Sequence, residues 1–318
     1  MPRLSANMLG VLLALACYAV YSWADAMVKG LGQALNIFEI GFFVTLFSFL
    51  PGLFAKPAGE RWRQTFRLRR PWLTNLMALC RVGSATLVTY SFVTIPLAEA
   101  YCLVFLIPVF ITILGVLVLR EQVTPERWAL VIVSFVGVLL VVRPGFRELE
   151  LGHLTAVGCA LCAAIATTIL RFISDGEQRT SLFVLPTLYT LAFNLAMLPF
   201  FGWSIPDIGT AGLLLAAGLL GGLGYLLQIA AITVAPASRV APMQYSQIVW
   251  ALILGALFFA EIPDGIALAG LVVVVLAGIA TIFADGARAR IAGRWAQYRA
   301  RRQTTPDDAS RIAGPPEP

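Results

Sequence analysis

Charge is scarce in this chain and histidine all but missing: Asp, Glu, Lys and Arg make up 13% of 318 residues, and His153 is the single histidine. With 59% hydrophobic residues and a mean hydropathy of +0.84, so little charge leaves no room for a soluble domain of any size. One histidine without a nearby acidic pair is too little for an intramembrane hydrolase or a metal centre, so neither catalytic residues nor a cofactor are expected. There is no G-x-x-x-x-G-K-S/T phosphate loop, which excludes the usual nucleotide-driven pump. A ring of acids or a glycine-rich filter is also missing, which argues against a selective channel. Cys17, Cys80, Cys102, Cys159 and Cys162 all fall in apolar runs, where a thiol behaves as a small hydrophobe. Cys159 and Cys162 have C-x-x-C spacing but no second pair, so redox or metal chemistry is not expected of them. No cleavable signal peptide is expected, because the first apolar run continues past the length of such a segment.

What the chain has is hydrophobic helix, and it has it twice. Shifted by about 140 residues, the chain meets itself with Pro96 on Pro236, Ile113-Leu114-Gly115 on Ile253-Leu254-Gly255, and Glu121 on Glu261. Ten runs approach the roughly 20 apolar residues that cross a bilayer. They are 7–28, 37–54, 72–95, 97–119 and 126–142, then 152–173, 182–201, 212–234, 237–259 and 265–283. An odd number of spans per copy makes the second copy enter from the opposite side, an architecture that recurs in secondary transporters. The expected organisation is therefore an all-α integral membrane protein of ten transmembrane helices in two inverted five-helix repeats. They comprise residues 6–145 and 150–285, followed by a basic, disordered cytoplasmic tail over 286–318.

Net charge is +6, which in another chain would suggest nucleic acid, but here the cations follow the connections. With both termini cytoplasmic, about 19 Lys and Arg lie on the inner side against about 3 outside, which predicts a multi-pass protein of a bacterial-type inner membrane.

Polar residues inside spans are functional candidates, because each is costly in lipid unless it meets a partner or water. Arg81 stands some 14 Å into the third span at 1.5 Å per residue, near the bilayer centre, either in a structural ion pair or facing a substrate anion. Asp25, Glu39 and Glu99 map near the outer leaflet, where a solvated helix end is the plainest reading of Asp25 and Glu39; Asp25 and Glu99 are also candidates for proton coupling. Glu121 and Glu261, each six residues after a glycine, are expected to cap a helix or latch a gate at opposite faces. Tyr90, Tyr101, Gln228, Gln244, Tyr245 and Trp250 complete the expected lining of a substrate cavity around Arg81. Gly218, Gly221, Gly222 and Gly224 give the eighth span a surface that another helix backbone can approach closely.

The chain resembles the drug/metabolite transporter superfamily, EamA type, from about Leu9 to Phe283. The resemblance is carried by Asp25-Ala26-Met27-Val28-Lys29, Arg81, Pro96-Leu97-Ala98-Glu99-Ala100, Pro108, Leu119-Arg120-Glu121 and Val138 to Gly145. In the second half it rests on Ala235-Pro236-Ala237-Ser238, Val240-Ala241-Pro242, Tyr245, Trp250-Ala251 and Glu261 with Pro263-Asp264. Similar proteins often carry arginine where Val44 stands and an acid where Gln244 stands. The resemblance implies alternating-access secondary transport of a small organic metabolite, such as an amino acid or derivative, riboflavin or a similar polar or aromatic compound. A passive channel or facilitator is the alternative, and an intramembrane lipid-modifying enzyme a more distant one. Expected partners are a small-molecule substrate, the lipid bilayer and protons, with no nucleic acid and a monomeric or homodimeric state.

Overall fold

A computed structural model of the chain describes residues 6–52, 54, 65–118, 120, 124–142, 149–173, 177–235 and 237–280. Among them the regular structure is helical throughout. The first half contains α1 (Ala6–Leu31), α2 (Ile37–Gly52), α3 (Pro71–Thr94), α4 (Leu97–Val104), α5 (Ile107–Leu117) and α6 (Pro125–Val142). The second contains α7 (Leu151–Ile173), α8 (Arg179–Phe201), α9 (Ile208–Val234), α10 (Ala237–Val240), a 3-10 turn (Ala241–Tyr245), α11 (Ser246–Phe259) and α12 (Gly265–Ala280). Seven helical stretches are long and apolar enough to cross a membrane, and the shorter apolar helices Ile37–Gly52, Trp128–Val142 and Gly265–Ala280 occupy the other three expected places. Glu121 and the 286–318 tail lie outside the described residues.

The fourth and ninth expected spans are not continuous helices. The fourth breaks into α4 and α5 at Phe105 and Leu106, because Pro108 has no N–H to give the Val104 carbonyl and its ring crowds that position. In the ninth, Pro242 stands in the 3-10 turn that separates α10 from α11. Each broken span follows an extended residue and a proline: Ile95 sits at φ −119, ψ 164 before Pro96, and Ala235 at φ −132, ψ 153 before Pro236.

Hydrogen bonds between loops define the two ends of the bundle. At one end, Lys29 at the close of α1 reaches the final carbonyls of α3, and Glu39 at the start of α2 meets Ser204 between α8 and α9. His153 at the start of α7 meets Glu99 at the start of α4 there too. At the other end, the Arg70 N–H donates to Glu177 at 2.7 Å and the Ser181 hydroxyl to the Thr65 carbonyl at 2.6 Å. α1 and α3 therefore run toward the Lys29 end, while α7 and α9 run away from it. The repeat register also persists in the backbone. Arg120 and Ala260, 140 residues apart, are the non-glycine residues with positive φ among those described, at 53° and 54°. Ala260 stops α11 by entering the left-handed region, and both residues directly precede a glutamate.

The main core lies where α4, α5, α6, α11 and α12 meet, around Ala100, Cys102, Val141, Leu254 and Leu271. α1 packs along α9, α2 against α9, and α3 along α7. Glycines make the α9 contacts close: a methyl on Gly222 would stand 2.7 Å from both the Ser48 carbonyl oxygen and Pro51 Cγ. Both neighbours belong to backbone or ring, so neither can swing aside. Gly222→Ala should lower unfolding stability by about 1–3 kcal/mol, read as a lower detergent melting temperature of the purified protein. An unchanged melting temperature would mean that α2 and α9 are not held at this spacing.

Candidate functional site

α1, α3 and α9 bring Tyr21, Arg81 and Tyr225 near one another. Arg81 lies ten residues into α3, about 15 Å along its axis. Its side chain is exposed, not sealed in packing. Its electrostatic neighbours are the Tyr21 hydroxyl from α1 and the Tyr225 hydroxyl from α9. Among the described residues, no carboxylate pairs with it. The structural ion pair considered for Arg81 is therefore not found there.

Asp25, one turn beyond Tyr21 on α1, is not a solvated helix end. It is partly buried and accepts a hydrogen bond from the Tyr101 hydroxyl of α4. No Lys, Arg or His of the described residues pairs with Asp25. The carboxylate borders a cavity of about 170 Å³ with Val44, Thr86, Thr89, Phe92, Thr190 and Asn194 among its walls. The Thr86 hydroxyl is buried and has no hydrogen-bond partner. A larger groove of about 490 Å³ between α3 and α8, near Leu79, Leu185 and Phe193, is almost wholly apolar and has none of this chemistry.

A compact ionic cluster lies beside the Phe92 wall of the cavity. Lys29 Nζ donates to the carbonyls of Phe92 at 3.2 Å and Ile95 at 2.7 Å, and pairs with Glu261 at 2.7 Å. The other Glu261 oxygen accepts the Leu97 N–H at 3.0 Å, at the first residue of α4. The turn through Ala260 folds the chain back so that the Glu261 carboxylate lies over Gly255, whose missing Cβ leaves the room. Glu261 thus caps a helix of the first half and ties that half to α11. At the same end α1 packs on α3, whereas the corresponding helices α7 and α9 make at most marginal contact among the described residues.

A profile of the EamA-like transporter family matches residues 8–143 and again 150–284. The chain belongs to that family. It is 27% identical over 264 residues to an S-adenosylmethionine uptake transporter of Rickettsia felis, covering 82% of this chain and 88% of that protein. It is 30% identical over 280 residues to the pseudopaline exporter CntI of Pseudomonas aeruginosa, covering 85% and 95%. A riboflavin transporter of Vibrio cholerae is 29% identical over 184 residues, 57% of this chain and 61% of that protein. A crystal structure with a TM-score of 0.59 covers 86% of this chain and 98% of its own at 17% identity, which shows the shared fold.

The other residues expected in the site of this EamA-like chain separate into several groups. Tyr101 is 3% exposed and acts as the partner of Asp25. Gln228 is half-buried on α9. Gln244 is half-buried in the 3-10 turn, and Trp250 packs on the main core. Tyr245 is a core residue, with its ring 4.9 Å from that of Phe105 and its hydroxyl against Gly278. Tyr90 is nine residues from Arg81, and at 100° per residue this places it on the opposite side of α3. Glu99 accepts from His153 Nε2 at 3.1 Å; the Glu150 N–H aimed at Nδ1 at 3.1 Å assigns the ring proton to Nε2. Glu39, 1% exposed, is no solvated helix end either, because it accepts from the Ser204 hydroxyl and the Asn36 N–H. Sequence reasoning missed Tyr21, Thr86 and the pairing of Lys29. Tyr21 had a signal in its spacing, since it lies one helical turn before Asp25.

Proposed function

We propose that this protein is a secondary active transporter that moves a small organic metabolite by alternating access between two inverted five-span halves. The observation that carries the reading is an interior holding one unpaired arginine and one unpaired aspartate, latched at one end by Lys29 and Glu261. The opposite running directions of α1 and α7 support the inversion. With both termini cytoplasmic, as the distribution of Lys and Arg favours, the latch lies at the outer face of the inner membrane and the cavity opens inward. The names of the relatives point to an amino-acid derivative or a riboflavin-like aromatic compound as cargo. Asp25 and Glu99 are the proposed coupling carboxylates: a carboxylate inside a membrane protein is neutralised by a proton or by a cationic partner.

Counterflow in proteoliposomes tests this reading. Vesicles preloaded with unlabelled S-adenosylmethionine, amino acids, riboflavin or nucleosides should accumulate the matching labelled compound, saturably, for at least one member of the panel. An imposed pH gradient should drive that compound uphill. Flux that neither saturates nor depends on preload would replace the carrier by a channel or facilitator.

A further inference from the structure

We propose that the groove between α3 and α8 binds an anionic phospholipid, with one acyl chain in the groove and the phosphate headgroup on Arg67 and Arg69 at its base. The site is separate from the interior cavity and independent of the carrier reading.

The groove is a gap in the surface that the bundle turns to lipid. Phe66 and Leu79 of its lining are 64% and 56% exposed. On α8 the groove takes Leu185, Leu188 and Ala192, whereas Thr190 and Asn194 border the Asp25 cavity. At 100° per residue these two sets lie on opposite sides of the helix, so the groove faces away from the interior. Its volume of about 490 Å³ falls within the roughly 300–1,000 Å³ of a ligand site. The one polar side chain of the lining, Tyr189, already donates its hydroxyl to Asn75 at 3.0 Å. Such a surface takes hydrocarbon.

Its depth is that of one leaflet. Both walls start at the same end, because Glu177 before α8 accepts the N–H of Arg70 before α3 at 2.7 Å. From there the groove climbs α3 as far as Val82, eleven residues beyond Pro71, which at 1.5 Å per residue is about 16 Å. Half of a hydrocarbon core of about 30 Å is the same distance.

The base of the groove is basic. Phe66 lines it, and Arg67, Arg69 and Arg70 follow, all exposed. Arg70 donates to the Phe172 carbonyl at 3.0 Å, but Arg67 and Arg69 have no ion pair or side-chain hydrogen bond with any described residue. Glu177 does not offset them: it is 8% exposed and already accepts the Arg70 N–H. With both termini cytoplasmic, this end lies in the inner leaflet, where exposed arginines attract anionic headgroups. Charge also argues against the other apolar occupants. A second copy related by an axis along the membrane normal would set the same arginines against each other, and the chain's own 286–318 segment is itself basic.

Native mass spectrometry of the purified full chain tests the site, with phosphatidylglycerol and phosphatidylcholine of identical acyl chains added in equal amounts. Wild-type protein should retain phosphatidylglycerol at least about tenfold over phosphatidylcholine, the effect of two arginines beside an anionic headgroup. Arg67→Gln with Arg69→Gln should bring the ratio close to one; both side chains are exposed, so the fold does not depend on them. Ala192→Trp fills the groove, keeps the arginines and should also lose the retained phosphatidylglycerol. Glycerophosphoglycerol, the same headgroup without chains, should not displace the lipid. Equal retention of the two lipids by wild-type protein would overturn the site, as would an unchanged ratio in the double arginine variant. Retention in Ala192→Trp, or displacement by the chainless headgroup, would overturn it too, because the groove would then have no part in binding.

Discussion

Replacing Arg81 with alanine should lower transport by about two orders of magnitude while the amount of protein in the membrane stays near that of wild type. The two readouts are separable because of what Arg81 touches. Had it been tied to a carboxylate on a neighbouring helix, its loss would strand a buried anion and cost about 3–5 kcal/mol of stability. No such carboxylate pairs with it among the described residues; its neighbours are the Tyr21 and Tyr225 hydroxyls, neutral groups that tolerate the loss of a cation. The guanidinium is an expensive charge placed where the fold does not use it, which leaves the substrate to use it. Arg81→Lys should recover only part of the rate, since an ammonium keeps the charge but not the fork that meets a carboxylate with two hydrogen bonds. Counterflow rates divided by immunoblot levels decide the matter. If level and rate collapse together, Arg81 is a structural residue.

The second large effect concerns the latch. Glu261→Gln or Lys29→Met should each open the Lys29 end and cut transport at least about tenfold, because truncating one partner of a buried pair leaves the other charge uncompensated. The damage should exceed that of a simple ion pair. Lys29 also satisfies the Phe92 and Ile95 carbonyls at the end of α3, and Glu261 also satisfies the first N–H of α4. These are backbone groups exposed by the break at Pro96, so they have no partner within their own helices. For the same reason the exchange Lys29→Glu with Glu261→Lys should rescue little: it restores the attraction but turns an acceptor toward carbonyls and a donor toward an N–H. The direct readout is accessibility. In a background with the five cysteines replaced, Thr86→Cys should react with a membrane-impermeant maleimide from the outside much faster once the latch is broken. Equal labelling rates with and without the latch would remove Lys29 and Glu261 from the gate.

Much of this architecture is legible in the chain because its causes are local. A run of apolar residues is a span whatever surrounds it, and the 140-residue register that pairs Glu121 with Glu261 reappears as a shared backbone turn at Arg120 and Ala260. The depth of Arg81 follows from counting along one helix, and the glycine six residues before Glu261 is the space its carboxylate occupies. The breaks in the fourth and ninth spans were also within reach, since Pro108 and Pro242 stand in the sequence; span length alone hid them.

Only the tertiary structure decided which polar group meets which. Asp25 and Tyr101 are 76 residues apart, Lys29 and Ile95 are 66, and Leu97 and Glu261 are 164. No periodicity encodes such pairings, because they depend on how whole helices rotate and tilt against one another. The approach of α12 at Gly278 took Tyr245 into the core. The sequence by itself determined that this is a duplicated membrane protein with costly charges inside it. The tertiary structure decided that two of those charges, Arg81 and Asp25, have no salt-bridge partner among the described residues, because α1 and α3 pack with the two side chains at different depths along α3.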